Sequence, residues 1–115
     1  MKFAFTILLA LAAFAQPSAK PETVMVTCKA KPGSEADLAR VIARHWRTAR
    51  DLQLVADAPH LTLRRVEGGR TSFVDIFTWR DADIPDHAPS AIQAIWAEMN
   101  RLSDGIDIAE VTIER

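Results

Sequence analysis

The chain has 115 residues, a formal net charge of −1 at pH 7 and 14 basic residues that are scattered rather than banded. This balance gives no electrostatic footprint for nucleic acid or for an anionic membrane surface, so neither is expected as a partner. The one cysteine, Cys28, cannot form an internal disulfide. Because it lies in an apolar strand pattern, we predict a buried small hydrophobe rather than a redox centre.

The first fifteen residues differ from the rest of the chain. One basic residue, Lys2, precedes an apolar run at 3–13, and Ala13-Phe14-Ala15 places small residues where a signal peptidase reads. This pattern is typical of a secretory signal peptide, and the run is shorter than the ~20 residues that span a bilayer. We predict a signal peptide at 1–15, a flexible leader at 16–22, a single domain at 23–115 and export to the periplasm or medium. A retained apolar N-terminal helix is the alternative.

Apolar periodicity and turn residues divide the remainder into six elements. In chain order they are a strand at 23–30, a helix at about 34–52, strands at 60–66 and 71–79, a helix at about 90–102 and a strand at 106–115. Ser34 with Asp37 resembles a capping box, and Ser90 or Asp86 is expected to cap the second helix. The order β-α-β-β-α-β predicts an α+β, ferredoxin-like fold: an antiparallel four-stranded sheet with two helices on one face.

The Gly68-Gly69 pair predicts a tight hairpin, and the hairpin fixes a register. That register pairs Arg64 with Phe73 and Thr62 with Asp75. One face of the hairpin is therefore mixed aromatic and polar, and the other carries Leu61, Leu63, Val74 and Ile76. We expect the helices to cover the aliphatic face. A second copy would then cover the aromatic face, which gives a homodimeric α/β barrel with helices outside.

Three stretches resemble the dimeric α/β barrel superfamily, and in particular the antibiotic biosynthesis monooxygenase family. They are VTCKAKPGSEADL, VDIFTWRD and HAPSAIQAIWAEMNRL, and the resemblance covers about residues 23–115. It implies the fold, a homodimer and a ligand cavity. Members of known activity include cofactor-free oxygenases of polycyclic phenols and haem-degrading proteins. The chain has no tyrosine and no matched Asn-Trp-His set, so the resemblance implies no specific reaction and no cofactor.

Asp75 is the sharpest candidate for chemistry, because it is a carboxylate among aromatic residues. We predict Asp75 and His60 as catalytic residues, with a general base acting on a phenol-like ligand. The predicted ligand-binding residues are Thr62, Arg64, Phe73, Phe77, Trp79 and His87. The structural alternatives are an ion pair that fixes strand or dimer register for Asp75, and a surface position for His87.

The three histidines lack the spacing of a metal site. His45, His60 and His87 do not form a local ligand pattern, so no metal is expected. His45 is interpreted as a partly buried helix residue, and Trp46, Trp96 and Met99 as packing residues. Two functions stay open at this point. One is a small-molecule enzyme of the monooxygenase-like type, and the other is a non-catalytic barrel that binds a small apolar or aromatic ligand or is associated with stress.

Overall fold

The structure, a computed structural model, describes residues 20–114. The predicted signal peptide and most of the predicted leader lie outside the described residues. Within them the elements are β1 (Glu22–Ala30), α1 (Glu35–Asp51), β2 (Leu61–Glu67), β3 (Arg70–Trp79), a 3₁₀ turn (Ile84–His87), α2 (Ser90–Leu102) and β4 (Ser103–Glu110). The predicted α+β, ferredoxin-like order is confirmed.

The four strands form one antiparallel sheet in the order β2-β3-β1-β4. The two middle strands are therefore β1 and β3, as the split βαβ arrangement requires. Gly68 and Gly69 have φ angles of 60° and 75°, which only glycine adopts readily. The turn that they form sets Thr62 opposite Asp75 and Arg64 opposite Phe73, which confirms the predicted hairpin register.

Several predicted boundaries are corrected. The Ser34 side chain makes no capping hydrogen bond, and instead the Gly33 N–H donates to Glu35 Oε1 over 3.0 Å. The second helix begins at Ser90 after an extended Pro89, so neither predicted cap is used. The last strand begins at Ser103, directly after α2, and ends at Glu110 rather than continuing to 115.

The two helices cover the opposite sheet face from the one predicted. The face that they cover is buried and carries the aromatic residues of β3 together with the small apolar residues of β1: Val24, Val26, Cys28, Phe73, Asp75, Phe77 and Trp79. We call this the helix-covered face. The other, the open face, carries Met25, Thr27, Leu61, Leu63, Val74 and Ile76. Leu61 and Leu63 are 49% and 48% exposed, so the prediction that the aliphatic side faces the helices is wrong.

The register between β1 and β3 explains this outcome. Val24 lies opposite Phe77, Val26 opposite Asp75 and Cys28 opposite Phe73. The side of β1 that carries Val24, Val26 and Cys28 is therefore on the aromatic side of β3, and its more polar side, with Thr27, is on the aliphatic side. Summed over both central strands, the aromatic face offers the larger apolar area for burial, and apolar area decides which face the helices cover.

Each helix contributes an apolar stripe to the core. The stripe of α1 consists of Leu38, Val41, Ile42, His45 and Ala49, and that of α2 of Ile92, Ile95, Met99 and Leu102. These spacings place each set on one side of its helix. On the outer side an ion pair between Arg44 and Glu98 joins the helices. No helix of residues 20–114 is both long enough and apolar enough to cross a membrane.

Candidate active site

A cavity of about 560 Å³ lies between the helices and the helix-covered face of the sheet. Its walls come from six elements: Val26 of β1, His45 of α1, Phe77 and Trp79 of β3, Asp86 of the 3₁₀ turn, Trp96 and Met99 of α2, and Ile106 of β4. The volume is in the range of about 300–1,000 Å³ that is usual for sites of small organic ligands. The lining residues belong to one protomer, and the helices, not the predicted second copy, cover the aromatic face.

The aromatic walls are arranged edge to face. The rings of Phe77 and Trp79 have centroids 4.9 Å apart at 81°, and those of Trp79 and Trp96 are 6.3 Å apart at 85°. Both geometries are favourable for aromatic pairs and fix the rings against each other. The cavity therefore offers ring faces and edges to a flat ligand without needing to rearrange.

Asp75 supplies the buried carboxylate of the cavity wall. It is only 4% exposed, and its Oδ1 atom accepts two hydrogen bonds, from Thr62 Oγ1 at 2.6 Å and from His60 Nε2 at 2.9 Å. Within residues 20–114, Oδ2 has no hydrogen-bond partner. One oxygen is thus held by the protein, and the other remains as an acceptor for a molecule in the cavity.

A stacked tryptophan fixes the position of His60. The His60 ring lies on Trp46 with centroids 3.9 Å apart and an angle of 14°. Donation from Nε2 to the carboxylate is the geometry in which an acid sets the tautomer of an imidazole. Trp46 of α1 therefore positions His60, and His60 orients Asp75.

His45 makes a second fixed contact inside the cavity. Trp96 Nε1 donates to His45 Nε2 over 2.9 Å. An indole nitrogen is only a donor, so His45 Nε2 must carry a lone pair and the proton of the neutral ring must be on Nδ1. Burial lowers the pKa of His45, and the Asp75 charge raises it in part. Both the hydrogen bond and the burial favour the neutral imidazole.

The lowered pKa of His45 predicts a pH dependence of stability. Below the unfolded value of about 6.5, the unfolded chain binds a proton that the folded chain does not yet bind, so stability falls as the pH decreases. The loss continues down to the folded pKa, with a slope of at most about 1.4 kcal/mol per pH unit. We expect urea unfolding at fixed protein concentration, between pH 7.5 and 5, to show this fall.

His45→Gln provides the matched variant, because the glutamine oxygen can still accept from Trp96. It should flatten the fall, whereas His87→Gln, at an exposed position, should leave it unchanged. Equal slopes in the wild type and His45→Gln would contradict the assignment of this pH dependence to His45.

Cys28 lies at the floor of the cavity and is 1% exposed. Burial raises the pKa of its thiol to about 11, and the nearby Asp75 charge acts in the same direction. The thiol is therefore protonated at neutral pH and is a poor nucleophile. The prediction of a buried small hydrophobe is confirmed.

Five of the predicted site residues lie at or beside the cavity. Asp75, Phe77 and Trp79 line it directly. Thr62 and His60 do not line it but contact the Asp75 carboxylate from the β2 side.

Three predicted ligand residues are located elsewhere. Phe73 is buried in the core on the same strand, and the Arg64 guanidinium lies 5.6 Å from its ring centroid. His87 ends the 3₁₀ turn and is exposed, whereas its neighbour Asp86 borders the cavity. Residues 20–114 contain no cluster of three or more His, Cys, Asp or Glu side chains that could hold a metal ion.

Sequence reasoning missed His45 and Trp96 as cavity residues. Both follow the apolar stripe of their helices, so packing was the natural interpretation. Their contact joins positions 51 residues apart, and helical periodicity alone gives no signal for it. A polar residue on a buried stripe, beside a helix that carries a tryptophan, is the one available hint.

Solved structures of other proteins share this fold. A variant of SnoaB, a cofactor-independent oxygenase from Streptomyces nogalater, aligns with a TM-score of 0.66 and 20% identity over 84% of this chain and 96% of that chain. A conserved protein from Methanosarcina mazei Go1 aligns at 0.60 and 13% identity over 84% and 96%. A candidate antibiotic biosynthesis monooxygenase from Caulobacter crescentus CB15 aligns at 0.58 and 14% over 84% and 93%.

These likenesses confirm, at the level of the fold, the resemblance seen in the sequence. No protein-family model matches the chain, and no curated protein matches it significantly. The chemistry must therefore be argued from the site itself.

Proposed function

We propose that this protein is a cofactor-free oxygenase of a small aromatic molecule, with Asp75 as general base. The observation that carries the proposal is the Asp75 carboxylate, buried in an aromatic cavity with Oδ1 held by two donors and Oδ2 free of partners in residues 20–114. A base needs an unoccupied acceptor at hydrogen-bonding distance from the proton it removes. The proposal is supported by the similar fold of SnoaB, which is a cofactor-independent oxygenase.

The reaction begins with proton transfer. Asp75 Oδ2 takes a proton from an acidic CH₂ beside the carbonyl of a phenol-like ring in its keto form. His60 and Thr62 keep the carboxylate oriented, and Phe77, Trp79 and Trp96 hold the ring by stacking.

Molecular oxygen is the oxidant of the next step. The carbanion gives its electrons to O₂, and a C–O bond forms to yield a peroxide anion, which takes the proton back from Asp75 and becomes a hydroperoxide. Loss of water from the hydroperoxide leaves a carbonyl. The sum is R₂CH₂ + O₂ → R₂C=O + H₂O, in which the ligand carbon is oxidised and O₂ is reduced.

The open face is proposed as the homodimer interface. Two of its leucines, Leu61 and Leu63, are about half exposed, and they lie beside Val74 and Ile76 on the next strand. An apolar patch of this kind marks an interaction surface, and a two-fold axis lets the same patch cover itself. We also propose that the mature protein is exported, on the strength of the signal-like pattern at 1–15.

Oxygen uptake tests the function. A panel of tricyclic and bicyclic phenols and cyclic ketones is offered to the purified protein without added cofactor, and O₂ consumption is recorded against product formed. We expect one O₂ consumed per carbonyl formed for at least one ligand. Tight ligand binding without uptake across the panel would contradict the oxygenase and support the non-catalytic ligand-binding barrel.

A further inference from the structure

The charged residues around the cavity are all acidic. Glu22, Asp75 and Asp86 line it, and within residues 20–114 neither a lysine nor an arginine does so. Asp75 is deeply buried, Glu22 is half-buried and Asp86 is exposed at the mouth. The positions of these three carboxylates place negative electrostatic potential both at the entrance of the cavity and at the wall where a ligand would bind.

His60 donates to Asp75 Oδ1 from outside the cavity lining, whereas Glu22 and Asp86 have no ion-pair partner within residues 20–114. His45 is neutral in the folded protein, since it accepts the Trp96 N–H. Arg44 pairs with Glu98 on the outer side of the helices, and Arg80 donates to the Val55 carbonyl. Lys20 is exposed, and its backbone carbonyl accepts a hydrogen bond from the N–H of Ala82, a lining residue.

The walls themselves add to the preference. Where Phe77, Trp79 and Trp96 present a ring face to the cavity, the negative part of the ring quadrupole attracts cations and does not attract carboxylates. A carboxylated ligand would lose hydration on entry and gain no opposite charge, which is the costly case for a buried ion.

We infer that this cavity selects uncharged or cationic aromatic ligands and excludes carboxylated ones. The inference rests on the proposed function only in placing the ligand in this cavity. It is compatible with the proposed chemistry, because proton transfer from a neutral ligand to Asp75 leaves the total charge of the cavity unchanged.

Three bicyclic ligands of similar size test the selection: 2-naphthol, 2-naphthylmethylammonium and 2-naphthoate. Dissociation constants are measured by calorimetry or by quenching of tryptophan fluorescence, at low and at high salt. We expect naphthoate to bind at least ten times more weakly than naphthol at low salt, and naphthylmethylammonium at least as tightly as naphthol. Because two of the carboxylates are near solvent, the gap should narrow at high salt.

A matched pair of double variants separates local charge from net charge. Glu22→Gln/Asp86→Asn should tighten naphthoate binding several-fold and leave naphthol within about twofold. Asp51→Asn/Glu67→Gln removes the same number of charges at exposed positions outside the cavity lining and should change neither.

Any of three results would overturn the inference. Naphthoate could bind as tightly as naphthol, none of the three ligands could bind, or the two double variants could have equal effects. Oxygen uptake is read separately. If the protein binds the three ligands with the expected selectivity but consumes no O₂ with any ligand, only the proposed oxygenase function is contradicted. If it consumes O₂ but shows no such selectivity, only this inference is contradicted.

Discussion

Asp75→Asn is expected to lower turnover by about 10²–10⁴-fold, the usual contribution of a positioned general base. The amide cannot take a proton from the ligand at neutral pH, so the step that generates the carbanion loses its base. The amide oxygen can still accept the hydrogen bonds that Thr62 and His60 give to Oδ1. Ligand affinity is therefore expected to stay within a few-fold, so the loss should appear in kcat rather than in KM.

The measurement combines oxygen uptake, ligand binding and light scattering on the same sample. Asp51→Asn, an exposed carboxylate on α1, is the control for a change of charge alone and should keep full turnover. If Asp75→Asn turned over normally, Asp75 would be a structural acid, as the ion-pair interpretation of the sequence holds. Loss of the dimer alone would support the role of Asp75 in fixing the register.

Local patterns in the sequence were sufficient for the elements and for one register. The Gly68-Gly69 turn forces positive φ angles, and a two-residue hairpin leaves a single way to pair its strands. The prediction that Thr62 is beside Asp75 followed from that turn alone, and the structure confirms it.

The assignment of the faces needed a pairing that no turn specifies. β1 and β3 are neighbours in the sheet, but α1 and β2 separate them along the chain. Their register therefore comes from the packing of the whole domain. Had Val24 and Cys28 been placed beside Phe77 and Phe73, the aromatic face would have been recognised as the one with more apolar area. The hairpin considered alone makes the aliphatic side look like the core, so it assigns the helices to the wrong face. The aromatic face that was predicted to border the cavity does border it.

Cavity residues on the helices were out of reach for a related reason. The apolar stripe of a helix predicts which residues are buried, but not which of them line a cavity. Trp96 and Met99 both follow the stripe of α2, and both line the cavity, while Ile92 of the same stripe is in the solid core. Which residue borders a cavity depends on how two helices are spaced on a sheet, and this is a property of the assembled layers.

Leu63→Glu is expected to convert the protein from a dimer to a monomer at micromolar concentration. Leu63 is 48% exposed and lies opposite Val74, on the edge strand β2 of the open face. In a two-fold dimer the substitution would bury two unpaired carboxylates, at a cost on the order of 3 kcal/mol or more, which raises the dimer Kd roughly a hundredfold or beyond. Light scattering over a range of protein concentrations measures the dimer Kd, and we expect the wild type to be a dimer.

Val66→Glu is the matched control, because Val66 is on the same strand, is 64% exposed and projects to the other side of the sheet, opposite Thr71. It should remain dimeric. Since the lining of each cavity comes from one protomer's own residues, the Leu63→Glu monomer should also bind an aromatic ligand within a few-fold of the wild type. A wild type that is monomeric, or equal effects of the two variants, would remove the open face as the interface. A folded monomer that no longer binds ligand would instead mean that the second copy completes the site.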